Sequence, residues 1–250
     1  MKRAIHVLLV LISIGLLFSS CSKDEEKAVA YCLLKTYNRQ VQADSSSITA
    51  DSIAFIYNGN KVVDIRSKFG SYAIEFSADS SIGKLYEYCF NSGRYCKIHT
   101  LSYANGRLVI DSMAGANYSD TLHYAGNNII NVKSHYAETR FSYDANGNNV
   151  TDSVFQLTDS SRVLISTVVR TFDDKNQPFP EDLKWFYGIY SNNNVLTSIS
   201  TDLQYGTTIS TTSTYNYNAE DYPAQMSSET VYSVDGHTEH YNTTFTYACQ

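Results

Sequence analysis

Apolar and polar positions alternate along most of this chain with a period of two, and Asn, Asp and Gly interrupt the alternation at near-regular intervals. The stretch Phe55-Ile56-Tyr57-Asn58-Gly59-Asn60-Lys61-Val62-Val63-Asp64-Ile65 sets the pattern: an aromatic-ending run, a turn signal, then aliphatic residues. The same order returns from Leu101 to Ile110, from Leu122 to Ile130, from Phe141 to Val150 and from Tyr215 to Pro223, and the chain closes on a half unit, Phe245-Thr246-Tyr247. A period of two puts residues i and i+2 on one face of a strand. Phe55, Tyr57, Phe141, Tyr143, Tyr215 and Tyr217 are therefore predicted on the covered side, with Ile56, Ser142 and Asn216 opposite. Asn-Gly supplies the positive φ of a tight hairpin turn. A lone hairpin is marginal in water, so consecutive units must stack.

The predicted fold is all-β: one domain over residues 31–250, an antiparallel meander forming a long twisted sheet that curls on itself, which helps to hide its edges. Helical patterns are nearly absent. The segment from Asp173 to Tyr187 contains Pro178 and Pro180, which cannot join a ladder, and is expected to be a loop where a partner docks.

Residues 1–20 depart from the pattern. Lys2 and Arg3 precede an apolar run from Ala4 to Phe18, shorter than the ~20 residues that span a bilayer and of signal-peptide length. The run ends Ser19-Ser20-Cys21 and resembles the bacterial lipobox, with Phe18 where Leu is usual. That resemblance implies loss of residues 1–20, acylation of Cys21 and an outer-membrane anchor. Residues 21–30 then read as a tether, and Lys23, Asp24, Glu25 and Glu26 resemble the acidic export signal of Bacteroidota lipoproteins, which implies display at the cell surface. The same residues also read as a plain solvated spacer.

Formal charge is −6, and without Lys2 and Arg3 it is −8; no basic patch stands out, which argues against nucleic acid as a partner. Four cysteines remain beyond Cys21. Cys89 and Cys96 flank a stretch of hairpin-turn composition, Phe90-Asn91-Ser92-Gly93-Arg94-Tyr95, and Cys32 and Cys249 are placed to tie the termini; connectivity does not follow from spacing, and buried thiols are an equal reading. No Gly-x-Ser-x-Gly, His-Glu-x-x-His or phosphate loop is present, and carboxylates are spread rather than paired. His237 and His240 would point to opposite faces of a strand. Asp144-x-Asn146-x-Asn148 with Asp152 echoes a calcium loop but lacks its Gly and terminal Glu, and reads as a turn. No metal or cofactor is expected. Asp51-Ser52, Asp111-Ser112, Asp120-Thr121 and Asp152-Ser153, each followed by an apolar residue, resemble the Asp-Ser/Thr acceptor of Bacteroidota O-glycosylation; Asp-Ser starting strands is the other reading.

The repeat units resemble the YD repeats of RHS proteins, and a group of Bacteroidota lipoproteins built on YD-like hairpins, over most of residues 50–250. Tyr143-Asp144 keeps the Tyr-Asp pair; the other units lack the Asp. A second stretch, Thr171-Phe172-Asp173-Asp174-Lys175-Asn176-Gln177-Pro178-Phe179 followed by Asn193-Asn194-Val195, supports it. The resemblance implies a fold and supplies no catalytic residues. The expected role is a non-enzymatic binding or structural module at the membrane surface, with a glycan or a protein as ligand. The alternative is an envelope hydrolase whose site assembles from distant strands.

Overall fold

In a computed structural model the described residues are 32–43, 49–67, 71–77, 81–89, 94–114, 119–179, 183–184 and 190–249, with backbone alone for 49, 71, 88–89 and 94–96. Cys21, Lys23, Asp24, Glu25 and Glu26 lie outside them, as do the side chains of Cys89 and Cys96.

Among the described residues sixteen strands follow one another. They are β1 (Cys32–Ala43), β2 (Thr49–Asn58), β3 (Lys61–Ser67), β4 (Ser71–Phe76), β5 (Ile82–Cys89), β6 (Arg94–Ala104), β7 (Arg107–Met113) and β8 (Ser119–Ala125). The second half comprises β9 (Asn128–Lys133), β10 (Ala137–Tyr143), β11 (Asn149–Leu157), β12 (Arg162–Asn176), β13 (Asn193–Asp202), β14 (Thr207–Tyr217), β15 (Pro223–Tyr232) and β16 (Thr238–Cys249). Each pairs antiparallel with its sequence neighbours, as the meander requires. The sheet does not remain open, however: β1 pairs with β16 from Cys32↔Cys249 to Ala43↔Glu239, closing a barrel. The open curled sheet expected from sequence is corrected to this closed form. Closure removes both sheet edges, which curling alone leaves exposed. A disulfide between Cys32 and Cys249 sits at the seam.

The repeat has a mechanical explanation. In seven hairpins the ladder slips just before an aromatic residue: at Tyr57, Phe76, Tyr88, Tyr103, Tyr124, Tyr143 and Tyr217. A bulge bends its strand and re-aims the next side chain. Five of the repeat tyrosines then reach back across the preceding strand and donate to a main-chain carbonyl near its start: Tyr57 to Leu34, Tyr124 to Leu108, Tyr143 to Ile129, Tyr215 to Val195 and Tyr247 to Pro223, at 2.7–3.0 Å. Each unit is thus pinned to the one before it. At Asn105-Gly106 both turn residues have positive φ, 52° and 74°, which accounts for the Asn-Gly pair there. Tyr143→Phe is expected to lower unfolding free energy by about 1 kcal/mol, because the Ile129 carbonyl loses its phenol donor. Urea titration beside Tyr136→Phe, at a ring 70% exposed, checks this; equal stability of the two variants would contradict it.

The covered face is the lumen. Phe55 is buried, and Tyr57, Phe141, Tyr143, Tyr215 and Tyr217 are partly buried, while Ser142 and Asn216 are exposed, as alternation predicts. The apolar core (Leu34, Ile65, Ile74, Leu85, Leu101 and Phe245 among others) lies inside the barrel, drawn mainly from β1–β9 and β16. The segment between β12 and β13 contributes to it. Leu183 is fully buried in this core, Phe179 packs against Tyr37 and Phe55 with centroids 5.9 and 6.4 Å away, and Tyr190 packs on Phe141 at 4.8 Å. The expected surface loop is therefore corrected: Asp173–Asn176 continue β12 and pair with β13 at Asn176↔Asn193, while Phe179 and Leu183, with Tyr190 beyond them, turn inward as an internal plug, because a barrel this wide needs side chains from elsewhere to fill it.

Candidate functional site

Since the core marks the lumen, the registers fix which residues face outward. Those of β1 are Thr36, Asn38, Gln40 and Gln42, and across the seam stand Thr246, Thr244, Asn242 and His240. On β14 the outward row is Ser210, Thr212, Thr214 and Asn216. Outward threonines bond each other, Thr36 to Thr246 at 2.6 Å and Thr171 to Thr197 at 2.7 Å. Val169 and Ile199 form an apolar pair amid these rows. A bilayer-spanning barrel carries an outward apolar band ~25 Å tall; the outward rows of β1, β14 and β16 carry hydroxyls and amides instead.

The Asp-Ser/Thr-apolar steps are explained by the same registers. Asp111 and Asp120 pair across β7 and β8, Asp51 pairs with Arg39, and Asp152 with Phe141, all inward. Ser52, Ser112, Thr121 and Ser153 consequently face outward. The inward carboxylates meet a few bases. His99 Nδ1 lies 3.0 Å from Asp111, and Lys97 lies 3.0 Å from Glu87. The hydrogen bond to Asp111 raises the His99 pKa. Burial, followed by the Asp111 charge, raises that of Asp120. Both groups hold a proton more tightly when folded. Their stabilisation is complete below the unfolded pKa values, 3.8 for Asp120 and 6.5 for His99, and is lost as pH rises through the higher folded values. Stability is therefore expected to decline above pH 6.5, and His99→Gln to flatten that decline, in urea midpoints measured against pH; an unchanged slope in the variant would contradict the assignment.

Opposite this wall, a cavity of about 200 Å³ lies between the plug and β11–β16, with Tyr37, Phe179, Tyr190, Tyr215, Met226 and Phe245 as its apolar lining and Asn149, Arg170 and Gln177 among its polar groups. Asp152 organises the polar corner: its two carboxylate oxygens accept from Asn149 Nδ2 at 2.5 Å and from Arg170 Nη2 at 2.6 Å. Asn149 is 3% exposed, and its backbone N–H donates to Ser191 Oγ at 3.0 Å, tying the corner to the plug. Asn149 Oδ1 and Arg170 Nη1 are buried without a protein partner. Burial pushes the pKa of Tyr190 and of Tyr215 up to about 12, so both phenols stay neutral.

Two hydrogen-bond networks hold the plug at its exit. Asn148, buried in the β10–β11 turn, accepts from the N–H groups of Asn192 and Asn193 and donates to Asp144 and Asn193. Gly147 has φ +80°, and a Cβ there would stand 2.6 Å from Asn192 Nδ2. Asp173 accepts from the Asn194 and Lys175 N–H groups and from the Tyr217 hydroxyl. The calcium-like Asp144 step is thus a turn whose carboxylate accepts the N–H groups of Asn146 and Asn148. Burial raises the Asp144 pKa, but these bonds more than offset it and leave the carboxyl below its usual value.

His237 and His240 are not brought together; each sits 3.7 Å from a glutamate, Glu239 and Glu229 respectively. Among the described residues the cluster with metal-ligand spacing is Cys32, Glu220 and Cys249, and its two sulfurs are bonded to each other. Arg170 and Asn149, the polar centre of the cavity, carried no motif in the sequence.

No family model matches the chain, and no curated protein does. Among solved structures, a porin-like protein from Bacteroides uniformis is similar at TM-score 0.55 and 12% identity, covering 86% of this chain and 96% of its own. A porin-like protein from Bacteroides vulgatus gives TM-score 0.44 at 9% identity, covering 84% and 97%. A TcdB2–TccC3–Cdc42 complex gives 0.32 at 10% identity, covering 82% of this chain and 11% of that one. The first of these likenesses shows the barrel fold.

Proposed function

We propose that this chain is an outer-membrane lipoprotein, anchored through Cys21, whose barrel is a non-enzymatic binding module held beside the membrane rather than a pore within it. The polar outer wall carries this reading: rows of Thr, Asn and Gln on β1, β14 and β16 are unsuited to hydrocarbon. The internal plug supports it, since Phe179, Leu183 and Tyr190 pack where a channel would run. The porin-like protein of similar fold supports an envelope location. Lys23, Asp24, Glu25 and Glu26 favour the cell surface. Purified protein added to planar bilayers should give no stepwise conductance, and Cys21→Ala should release the protein from the membrane fraction. Stable unitary conductance, or membrane retention of Cys21→Ala through washing at high salt and high pH, would overturn the proposal.

A further inference from the structure

We infer that the outer wall over β9–β12 carries a binding site for one phosphate monoester group, held by Arg140, Arg162 and Lys133. The inference rests on the binding-module reading above, which leaves this wall in water, and it names a ligand class. The ladders gather the site from residues spread along the chain. Arg140 pairs with Ser153 and Asn131, Glu138 with Phe155 and Lys133, and Arg162 with Leu157. Since Asp152 and Phe141 face the lumen, all of these face outward. Glu138 is the hub, at 6% exposure. Its Oε1 accepts from Asn131 Nδ2 at 2.6 Å and from Arg140 Nε at 2.7 Å, and Arg162 Nη1 reaches its two oxygens at 3.4 and 3.3 Å. Burial raises the Glu138 pKa, but the Arg140 hydrogen bond and the two arginine charges more than offset this and keep the carboxyl ionised.

The arrangement has a surplus of donors and of charge. Both guanidiniums also lie on one ring, with the Phe155 centroid 5.5 Å from Arg140 Cζ and 4.3 Å from Arg162 Cζ, so they are oriented before a ligand arrives. Yet Glu138 takes only Nε of Arg140 and Nη1 of Arg162. Both Nη groups of Arg140, and Nε and Nη2 of Arg162, stay available on side chains 51% and 37% exposed. Lys133 is exposed beside them, and among the described residues it forms no ion pair. Asp159, in the adjacent β11–β12 turn, is ion-paired to none of the three. Three cations around one carboxylate leave a local excess of two positive charges on a chain of formal charge −6. Guanidinium forks match pairs of phosphate oxygens. A phosphate monoester carries about −1.5 to −2 at pH 7, which matches the excess. The acidic remainder of the chain repels a polyanion, so the site suits a single phosphate on an otherwise uncharged small solute.

The test uses the full-length chain, extracted in mild detergent and held in phosphate-free buffer at low salt. Inorganic phosphate and glucose 6-phosphate are the probes, with glucose and acetate as controls. Glycerophosphoglycerol, a singly charged diester, stands for a lipid headgroup as the source. Phosphorus NMR and calorimetry read binding. Both probes are expected to bind saturably in the millimolar-to-micromolar range, more tightly than the diester and both controls. Arg140→Gln and Arg162→Gln are each expected to weaken glucose 6-phosphate by about tenfold or more, as loss of a charge-assisted hydrogen bond does. Lys133→Gln leaves the Glu138 bonds intact and is expected to weaken it by about two- to fivefold. Arg66→Gln, at an arginine 67% exposed on β3, is expected to change nothing. Thermal unfolding confirms that the variants fold. No saturable phosphate binding by folded protein, tighter binding of the diester, or equal losses in Arg140→Gln and Arg66→Gln would each overturn the inference. A negative result with no bilayer conductance would remove the phosphate site and leave the binding-module reading standing; conductance would remove that reading itself.

Discussion

Replacing both Cys32 and Cys249 with serine is expected to lower the unfolding free energy by about 5 kcal/mol if loop entropy dominates, and by about 2–5 kcal/mol as small exported domains usually respond. The bond closes a loop with a sequence separation of 217, so it restricts nearly the whole unfolded chain. The folded barrel should persist in the variant, because the β1–β16 ladder runs the length of both strands and the seam hydroxyls of Thr36 and Thr246 still bond. The change therefore appears in stability and not in secondary structure. Urea unfolding followed by far-ultraviolet circular dichroism, with and without reductant, measures it. Matching midpoints in oxidised wild type, reduced wild type and the double variant would contradict the expectation.

Leu183→Ala is expected to cost about 2–5 kcal/mol, the usual range for a large-to-small change at a fully buried leucine. The site is informative because Leu183 belongs to the plug and not to any strand, while its neighbours in the core do. Were the segment a surface loop, truncation would fall within about 0.5 kcal/mol. Ile199→Ala is the internal control, since Ile199 faces outward and is 47% exposed. Thermal or urea unfolding of both variants separates the cases. Equal, small effects would place Leu183 outside the core.

Much of the strand architecture was legible because it is local. The Phe55-Ile56-Tyr57 alternation and the Asn105-Gly106 pair each prescribe their own geometry, and the tyrosines lie on the face that alternation assigns them. Closure was legible only in the Cys32 and Cys249 pair, which can tie the termini without prescribing a ladder between them; strand number, twist and stagger decide the pairing collectively. The segment after Asp173 was recognisable as irregular from Pro178, but its destination was not. The available signal was its content: Phe179, Leu183 and Tyr190 are costly to leave in water. The cavity was least legible of all. Asn149, Asp152 and Arg170 sit in ordinary strand sequence, and only the Asp152↔Val168 register brings the two strands' polar groups together. The repeated Asp-Ser/Thr-apolar step held a partial signal, since its Asp turns inward and its hydroxyl outward.

The central claim, a barrel with a polar wall and a filled lumen, is tested most directly by producing residues 22–250 without detergent and measuring mass and secondary structure together by light scattering and circular dichroism. All strand pairing among the described residues lies within residues 32–249, so the account predicts a soluble, cooperatively unfolding, β-rich species. Aggregation relieved only by detergent micelles, with β-structure forming only in their presence, would contradict it.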